Sequence, residues 1–410
     1  MNPVSIPTPS PLIDNLNELG NPLAETRLAL GRYPWLKAIA GAEDDLLHTF
    51  AFLQSYNGST ATFNSYRREI ERLLQWAFVI KQTSLQELHR QELEEFVRFC
   101  QAPPAPWIAL QQAPRFVNRN GERLSNPQWR PFIGESTGSS LNAELSQKSL
   151  QSLFSVLSTY FNYLLQEDYL KVNPISLIRQ KSKFLQKHAY QAPIRRISNL
   201  QWDYVLETVE QMAQENPGEH ERSLFVMNCL LGMYLRISEL VADERSVPVM
   251  GDFQCDSDGH WWLRVTGKGN KVRLVTVSDD MLQSLARYRL HLGLSRLPHA
   301  GEQTPLVPKI RGRGPVTSTR QIRYLVQFCF DRTFERMKLQ GLEDEARELE
   351  VATVHWLRHT GISEDVKFRP KEHVKEDAGH ASMATTDRYV DTELRERHAS
   401  ARNKRLKPEL

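Results

Sequence analysis

His260-Trp-Trp-Leu-Arg-Val-Thr-Gly-Lys-Gly-Asn-Lys-Val-Arg-Leu-Val-Thr-Val277 is the stretch on which the fold turns. His260–Val265 and Val272–Val277 are rich in β-branched and aromatic residues, and Gly267-Lys268-Gly269-Asn270 stands between them. A Gly-Asn turn between two such runs predicts a β-hairpin. Immediately outward the pattern changes. Trp202–Gln214 and Arg222–Leu235 carry helical periodicity, and helical patterning dominates again from Thr319 to the end. The second half is therefore expected to be mainly α with a small antiparallel β-sheet, an α+β fold.

Further upstream, three apolar stripes predict helices. They run through Phe63, Tyr66, Ile70, Leu73 and Ala77, through Leu93, Phe96, Val97 and Cys100, and through Leu150, Leu153, Leu157, Tyr160, Phe161 and Leu164. Residues 101–145 mix Pro and Trp without periodicity and read as a surface loop inserted between two helices. DNA and an accessory protein are both open as its contact. Residues 1–20, rich in Pro, Ser and Asn, read as loose. The expected organisation is an N-terminal extension over 1–44, a helical domain over 45–180, a basic linker over 181–197 and a second domain over 198–410.

A chain of 410 residues with 40% hydrophobic and 25% charged content has the material for two or three packed domains. The net charge of +3 demands no particular partner, but the distribution is informative. Lys171, Arg179, Lys181, Lys183, Lys187, Arg195 and Arg196 follow one another with no acid between them. So do Lys309, Arg311, Arg313, Arg320 and Arg323. Such runs are either solvated loops or contacts to a phosphate backbone. Cys100, Cys229, Cys255 and Cys329 form no Cys-x-x-Cys pair, so neither a zinc site nor a disulfide framework is indicated, and a reducing cytoplasm fits. The opening residues lack a secretory pattern, and no run of about 18 apolar residues predicts a membrane span.

Three short segments carry candidate chemistry. Leu235-Arg236-Ile237-Ser238-Glu239-Leu240 follows a hydrophobic helix. His355-Trp356-Leu357-Arg358-His359 places His355 and Arg358 on one helical face. His355 and His359 also have metal-ligand spacing, but a zinc hydrolase of that type needs Glu where Trp356 stands, so the metal reading fails. Gly379-His380 is followed nine residues later by Tyr389 within Thr385-Thr386-Asp387-Arg388-Tyr389-Val390. Taken singly, each is an ordinary helix end, helix face or core tyrosine.

In chain order Arg236, Lys268, His355-x-x-Arg358, His380 and Tyr389 resemble the Arg…Lys…His-x-x-Arg…His/Trp…Tyr signature of the tyrosine recombinases, or phage integrases, including Xer- and Cre-type enzymes. The flanking boxes LRISEL, GKGNKVR, HWLRHT and GHASMATTDRYV resemble the family's as well. The resemblance covers roughly residues 230–390. It implies a helical core-binding domain followed by a catalytic domain that cuts and rejoins double-stranded DNA with neither cofactor nor metal. Arg236 and Arg358 would bind the scissile phosphate. His355 and His380 would hydrogen-bond it or move protons. Lys268 would be the general acid, with Lys271 as runner-up, and Tyr389 the nucleophile that forms a 3′-phosphotyrosine. Glu239 would support the site from behind.

The residue types suit phosphoryl transfer. Two guanidinium groups grip non-bridging oxygens bidentately, as lysine does not, and a tyrosine hydroxyl holds the cut strand covalently for rejoining. Lys181, Lys183, Lys187, Arg195, Arg196, Arg311 and Arg313 are the expected backbone contacts. The resemblance further implies a C-shaped clamp on DNA, a homotetramer on two DNA sites, a nucleoid-associated location in the cytoplasm, and a mobile genetic element as the setting. The charged tail Thr392–Lys407 reads either as a solvated terminal helix or, as the resemblance implies, as a helix that docks on a neighbouring protomer. A type IB topoisomerase-like enzyme and a non-catalytic DNA-binding regulator are the competing readings. The sequence departs from the family at Tyr234, where Gly is frequent, at Ala378, where Leu is usual, and at the highly charged Lys367–Lys375.

Overall fold

The structure, a computed structural model, describes residues 6–137, 140–178, 195–387, 389 and 402. The chain divides into two compact units, Met1–Tyr190 and Gln191–Leu410.

The first unit is built on α1 (Pro22–Arg32), α2 (Ala42–Gln54), α3 (Thr60–Gln75), α4 (Arg90–Gln101) and α5 (Gln147–Gln166). Their apolar faces meet around Phe52, whose ring packs against Tyr56, Tyr66, Tyr160 and Tyr163 at 5.1–5.5 Å. Within the N-terminal stretch, the described residues Pro11–Asp14 are buried and not loose. Leu12 and Ile13 are buried, and their amides donate to Glu71 Oε1 at 2.6 and 3.0 Å. A buried carboxylate satisfying two amides outweighs the Pro-rich composition of the segment.

Residues 101–145 also differ from the expected loop. They form β1 (Ile108–Ala109), β2 (Phe116–Arg119), β3 (Glu122–Ser125), β4 (Phe132–Ile133), β5 (Glu135–Thr137) and β6 (Ser140–Asn142), paired β1–β4, β2–β3 and β5–β6. The β2–β3 hairpin turns at Asn120-Gly121, both with positive φ (51° and 82°) as a two-residue primed turn requires. Trp107, Ile108 and Phe132 are buried in the core of the helices, so the segment is packed and not merely appended.

The second unit contains α6 (Asn199–Glu215) and α7 (Pro217–Gly232). A three-stranded antiparallel sheet follows, β7 (Phe253–Cys255), β8 (Trp261–Thr266) and β9 (Val272–Thr276), in the order β7-β8-β9. Then come α8 (Asp279–His291), α9 (Thr319–Leu339), α10 (Glu343–Ala346), α11 (Val354–Asp365), α12 (Lys371–Ala378) and α13 (Met383–Asp387). The architecture is mainly α with a small antiparallel sheet, as the sequence predicts; β7 is an additional strand. Among the described residues no helix is long and apolar enough to cross a membrane. The tail 392–407, apart from Arg402, lies outside the described residues.

Candidate active site

The centre of the site is a backbone turn. After α7 the chain passes through Tyr234 with φ of 51° and enters Arg236 and the single 3-10 turn Ile237–Glu239. Glycine enters that left-handed region freely, whereas a tyrosine there costs on the order of 1–3 kcal/mol and must be held. Here the holding is visible. The Tyr234 hydroxyl bonds Asp365, and Arg369 Nη1 donates to it at 3.0 Å.

The bent turn aims the Tyr234 carbonyl at Arg358, whose Nη1 donates to it while Nη2 donates to the Ala378 carbonyl. The next carbonyl, Gly379 O, accepts Arg236 Nη2 at 3.1 Å. Two guanidinium groups are thus clamped by successive peptide carbonyls, although 122 positions separate them in the chain. Gly379 itself has φ of 61°, and a Cβ there would sit 2.9 Å from Arg273 Cδ, so this position needs glycine. Arg358 is 5% exposed; burial and the adjacent Arg236 charge lower its pKa to about 10, which leaves it charged at neutral pH. Arg236 is more open, with 30% of its side chain exposed.

Behind the two cations lies Glu239. It receives Arg236 Nη1 at 3.1 Å, the Arg236 amide at 2.8 Å, and both terminal nitrogens of Arg273 at 2.7 and 2.9 Å. Burial pushes its carboxyl up, but the Arg273 hydrogen bonds and the Arg273 and Arg236 charges more than reverse this and hold it below the ordinary range. Arg273 Nε also donates to the Asp377 carbonyl at 2.9 Å. Asp377 accepts the Thr276 amide at 3.0 Å and Arg369 Nη2 at 2.6 Å. Arg369 in turn bonds Asp365 on α11. The unusual charge of residues 367–375 is therefore partly internal wiring, which ties α11 and α12 to the sheet.

His380 follows the αL Gly379, and its Nδ1 lies 2.9 Å from Thr386 Oγ1. Burial and the charges of Arg358 and Arg236 lower its pKa to about 4, so it is neutral at pH 7. Tyr389 is 8% exposed and packs with Tyr234, Ile362, Val374 and Ala378. Its ring stacks on His380 at 5.7 Å, and its hydroxyl lies 2.7 Å from His359 Nδ1. His355 is exposed one helical turn before His359, with ring centroids 6.4 Å apart. Lys268 opens the β8–β9 turn, closed by the Gly267 amide on the Lys271 carbonyl at 2.8 Å. The Lys268 side chain lies outside the described part of the structure. Arg236, Arg358, His380 and Tyr389 thus converge in one site, with Glu239 buried behind the two arginines.

Of the expected DNA contacts, Lys181, Lys183 and Lys187 lie outside the described residues. Arg195 is exposed and Arg196 half-buried; Arg311 and Arg313 are exposed in a turn closed by the Lys309 amide on the Gly314 carbonyl at 3.0 Å. Among the described residues one trio, Asp256, Asp258 and His260, gathers three possible metal-ligand atoms. It is exposed, and Asp256 is occupied in capping its own turn through the amides of Asp258 and His260.

No family model matches the chain. A tyrosine recombinase XerC of Chlorobaculum parvum is 24% identical over 280 residues, covering 66% of this chain and 75% of the relative. A tyrosine recombinase XerC of Bradyrhizobium diazoefficiens is 30% identical over 278 residues, covering 64% and 74%. This chain belongs to the tyrosine recombinase family. Solved structures agree on the fold. A XerH site-specific recombinase in a post-cleavage complex with a palindromic difH substrate has a TM-score of 0.56 at 16% identity, covering 95% of this chain and 99% of that one. The Tn1549 transposon integrase with a circular intermediate DNA has a TM-score of 0.51 at 16% identity, covering 87% and 98%.

Two participants in this tyrosine recombinase site escape a reading of the sequence. His359 is visible there as half of a rejected metal pair and as a member of the HWLRHT box, neither of which gives it a role. Arg273, the main partner of Glu239, closes the GKGNKVR box, but nothing in that box ties it to Glu239. A third dependence is steric. A Cβ on Gly361 of α11 would lie 2.2 Å from the Leu231 carbonyl of α7 and 3.0 Å from the Tyr234 ring. Gly361→Ala is expected to push α11 off α7, cost about 1–3 kcal/mol, and displace Arg358 and His359 together. Denaturant unfolding and DNA cleavage by the same variant measure both; unchanged values would mean the two helices are free to separate without consequence.

Proposed function

We propose that this tyrosine recombinase is a site-specific DNA recombinase that cleaves and rejoins strands through a 3′-phosphotyrosine at Tyr389, without a metal. The observation that carries the reading is the convergence of Arg236, Arg358, His380 and Tyr389 in one site. Tyr389 Oη attacks the scissile phosphorus, a new O–P bond forms, and the bond from phosphorus to the 5′ oxygen breaks. The Arg236 and Arg358 guanidinium groups bind the non-bridging oxygens where negative charge accumulates; such pre-set donors commonly supply the largest catalytic contribution. Lys268 at the hairpin turn protonates the departing 5′ oxygen. In the tautomer in which the Thr386 hydroxyl donates to Nδ1, neutral His380 carries its proton on Nε2 and offers it to the phosphate. His355 is a further donor from the exposed side. The 5′ hydroxyl of a second strand reverses the steps and restores the phosphodiester.

Four protomers on two DNA sites are the assembly this exchange requires, and a mobile genetic element is the proposed setting. Arg195, Arg196, Arg311 and Arg313 serve as backbone contacts, which position the DNA and do not read its sequence. The test is covalent capture. The protein is mixed, in EDTA, with nicked duplexes carrying the sequences that flank its gene, then denatured in SDS. The expected result is a protein–DNA adduct whose DNA-bearing peptide contains Tyr389. An adduct on another residue, or none on DNA that the protein binds, would overturn the proposal.

A further inference from the structure

We infer that His359 is a catalytic base of this enzyme, accepting the Tyr389 proton as the phenol oxygen attacks phosphorus. The inference rests on Tyr389 being the nucleophile and adds a residue which that reading leaves without a role. Near neutral pH only about one in 10³ unperturbed phenols is ionised, so an attacking tyrosine gains from an adjacent base. His359 Nδ1 stands 2.7 Å from the hydroxyl, inside the range such transfer needs. His380 contacts the same ring, but its Nδ1 is engaged by Thr386, and it sits stacked on the phenol with an 18° interplanar angle.

The backbone holds His359 in place. Thr360 takes the Ile197 amide on its hydroxyl at 3.1 Å and donates that hydroxyl to the Trp356 carbonyl at 2.8 Å. Gly361 lets α11 lie against the Leu231 carbonyl. The preceding residue, Arg358, is fixed by the carbonyls of Tyr234 and Ala378. One turn of helix therefore presents the phosphate-binding guanidinium and the tyrosine-binding imidazole side by side, each pinned by neighbours and not by its own flexibility.

The proton balance closes. With its own proton on Nε2, His359 accepts the phenol hydrogen bond at Nδ1. As the tyrosine O–P bond forms, the phenol proton moves to Nδ1 and the imidazole becomes a cation. Lys268 separately supplies the proton for the 5′ oxygen. On rejoining, the imidazolium returns its proton to the departing phenolate.

The experiment measures single-turnover adduct formation by the full-length wild type, His359→Ala, His359→Gln and Lys268→Ala. Two nicked duplexes are used, one ordinary and one with sulfur in place of the scissile 5′ oxygen, a leaving group that needs no protonation. His359→Ala is expected to lose about 10²- to 10⁴-fold on both duplexes, with unchanged DNA affinity in gel shifts. Free imidazole should restore part of the rate, more so for more basic imidazoles. Lys268→Ala should recover on the sulfur duplex. Should His359→Ala not fold, His359→Gln, which keeps the bulk but accepts no proton, is expected to show the same loss on both duplexes.

Recovery of either His359 variant on the sulfur duplex would assign it to the leaving group and overturn the inference. Cleavage within threefold of wild type, or a loss in folded His359→Ala that imidazole does not reduce, would do the same. If the wild-type adduct fails to map to Tyr389, it is the nucleophile assignment that falls; if it maps there and the His359 variants behave like wild type, only the base is lost.

Discussion

Tyr389→Phe is expected to abolish covalent capture of DNA, a loss on the order of 10⁶-fold, the scale on which removal of an enzymatic nucleophile acts. The substitution deletes a single oxygen. The ring itself packs with Ile362, Val374 and Ala378 and stacks on His380, and a phenylalanine keeps all of that contact. What disappears is the 2.7 Å hydrogen bond to His359, worth roughly 1 kcal/mol to folding. Melting temperature and DNA affinity are therefore expected to stay near wild type while the SDS-resistant band vanishes. That separation makes the result interpretable, because a variant that fails by unfolding would lose binding as well. A band of wild-type intensity from Tyr389→Phe would place the nucleophile elsewhere in the chain.

The hairpin at 260–277 was legible because two local signals coincide there, β-rich runs and a Gly-Asn turn, and its strands pair from Trp262–Thr276 to Thr266–Val272. Strand β7 was not, since Phe253–Cys255 is short and followed by Asp and Gly; only its pairing with β8 makes it a strand. The segment 101–145 misled for a related reason. Its Pro and Trp residues suggest a loop, yet Asn120-Gly121 was a hairpin signal in plain view, and Trp107 and Phe132 were available for burial.

At the site, the side chains that the structure brings together, Arg236, Arg358, His380 and Tyr389, could be picked out by type and chain order. The carbonyls of Tyr234, Ala378 and Gly379 were not, because every residue has a carbonyl and only the fold aims it. Tyr234 shows the limit most clearly. Glycine is the residue that position invites, and the sequence alone cannot reveal that Asp365 and Arg369 hold a tyrosine in the same left-handed turn.

Those carbonyls give the second large effect. Arg358→Lys keeps the charge but is expected to lower strand cleavage by about 10²- to 10³-fold, the range for removing a transition-state donor. Arginine offers five N–H donors in a rigid plane. Two of the hydrogens on Arg358 hold the Tyr234 and Ala378 carbonyls, which fixes the plane and leaves the others for phosphate oxygens. A lysine has three donors on one nitrogen and no plane, so it cannot meet two carbonyls and a phosphate from the same place. Unpairing either buried carbonyl costs about 1–3 kcal/mol. The loosened Ala378–Gly379 peptide would also release its hold on Arg236, whose Nη2 bonds the Gly379 carbonyl. A double-mutant comparison with Arg236→Lys separates the two contributions. If the guanidinium groups act as one clamp, the double variant should be little worse than the single ones. Effects that multiply would mean each arginine grips the phosphate independently of the carbonyl pair that joins them.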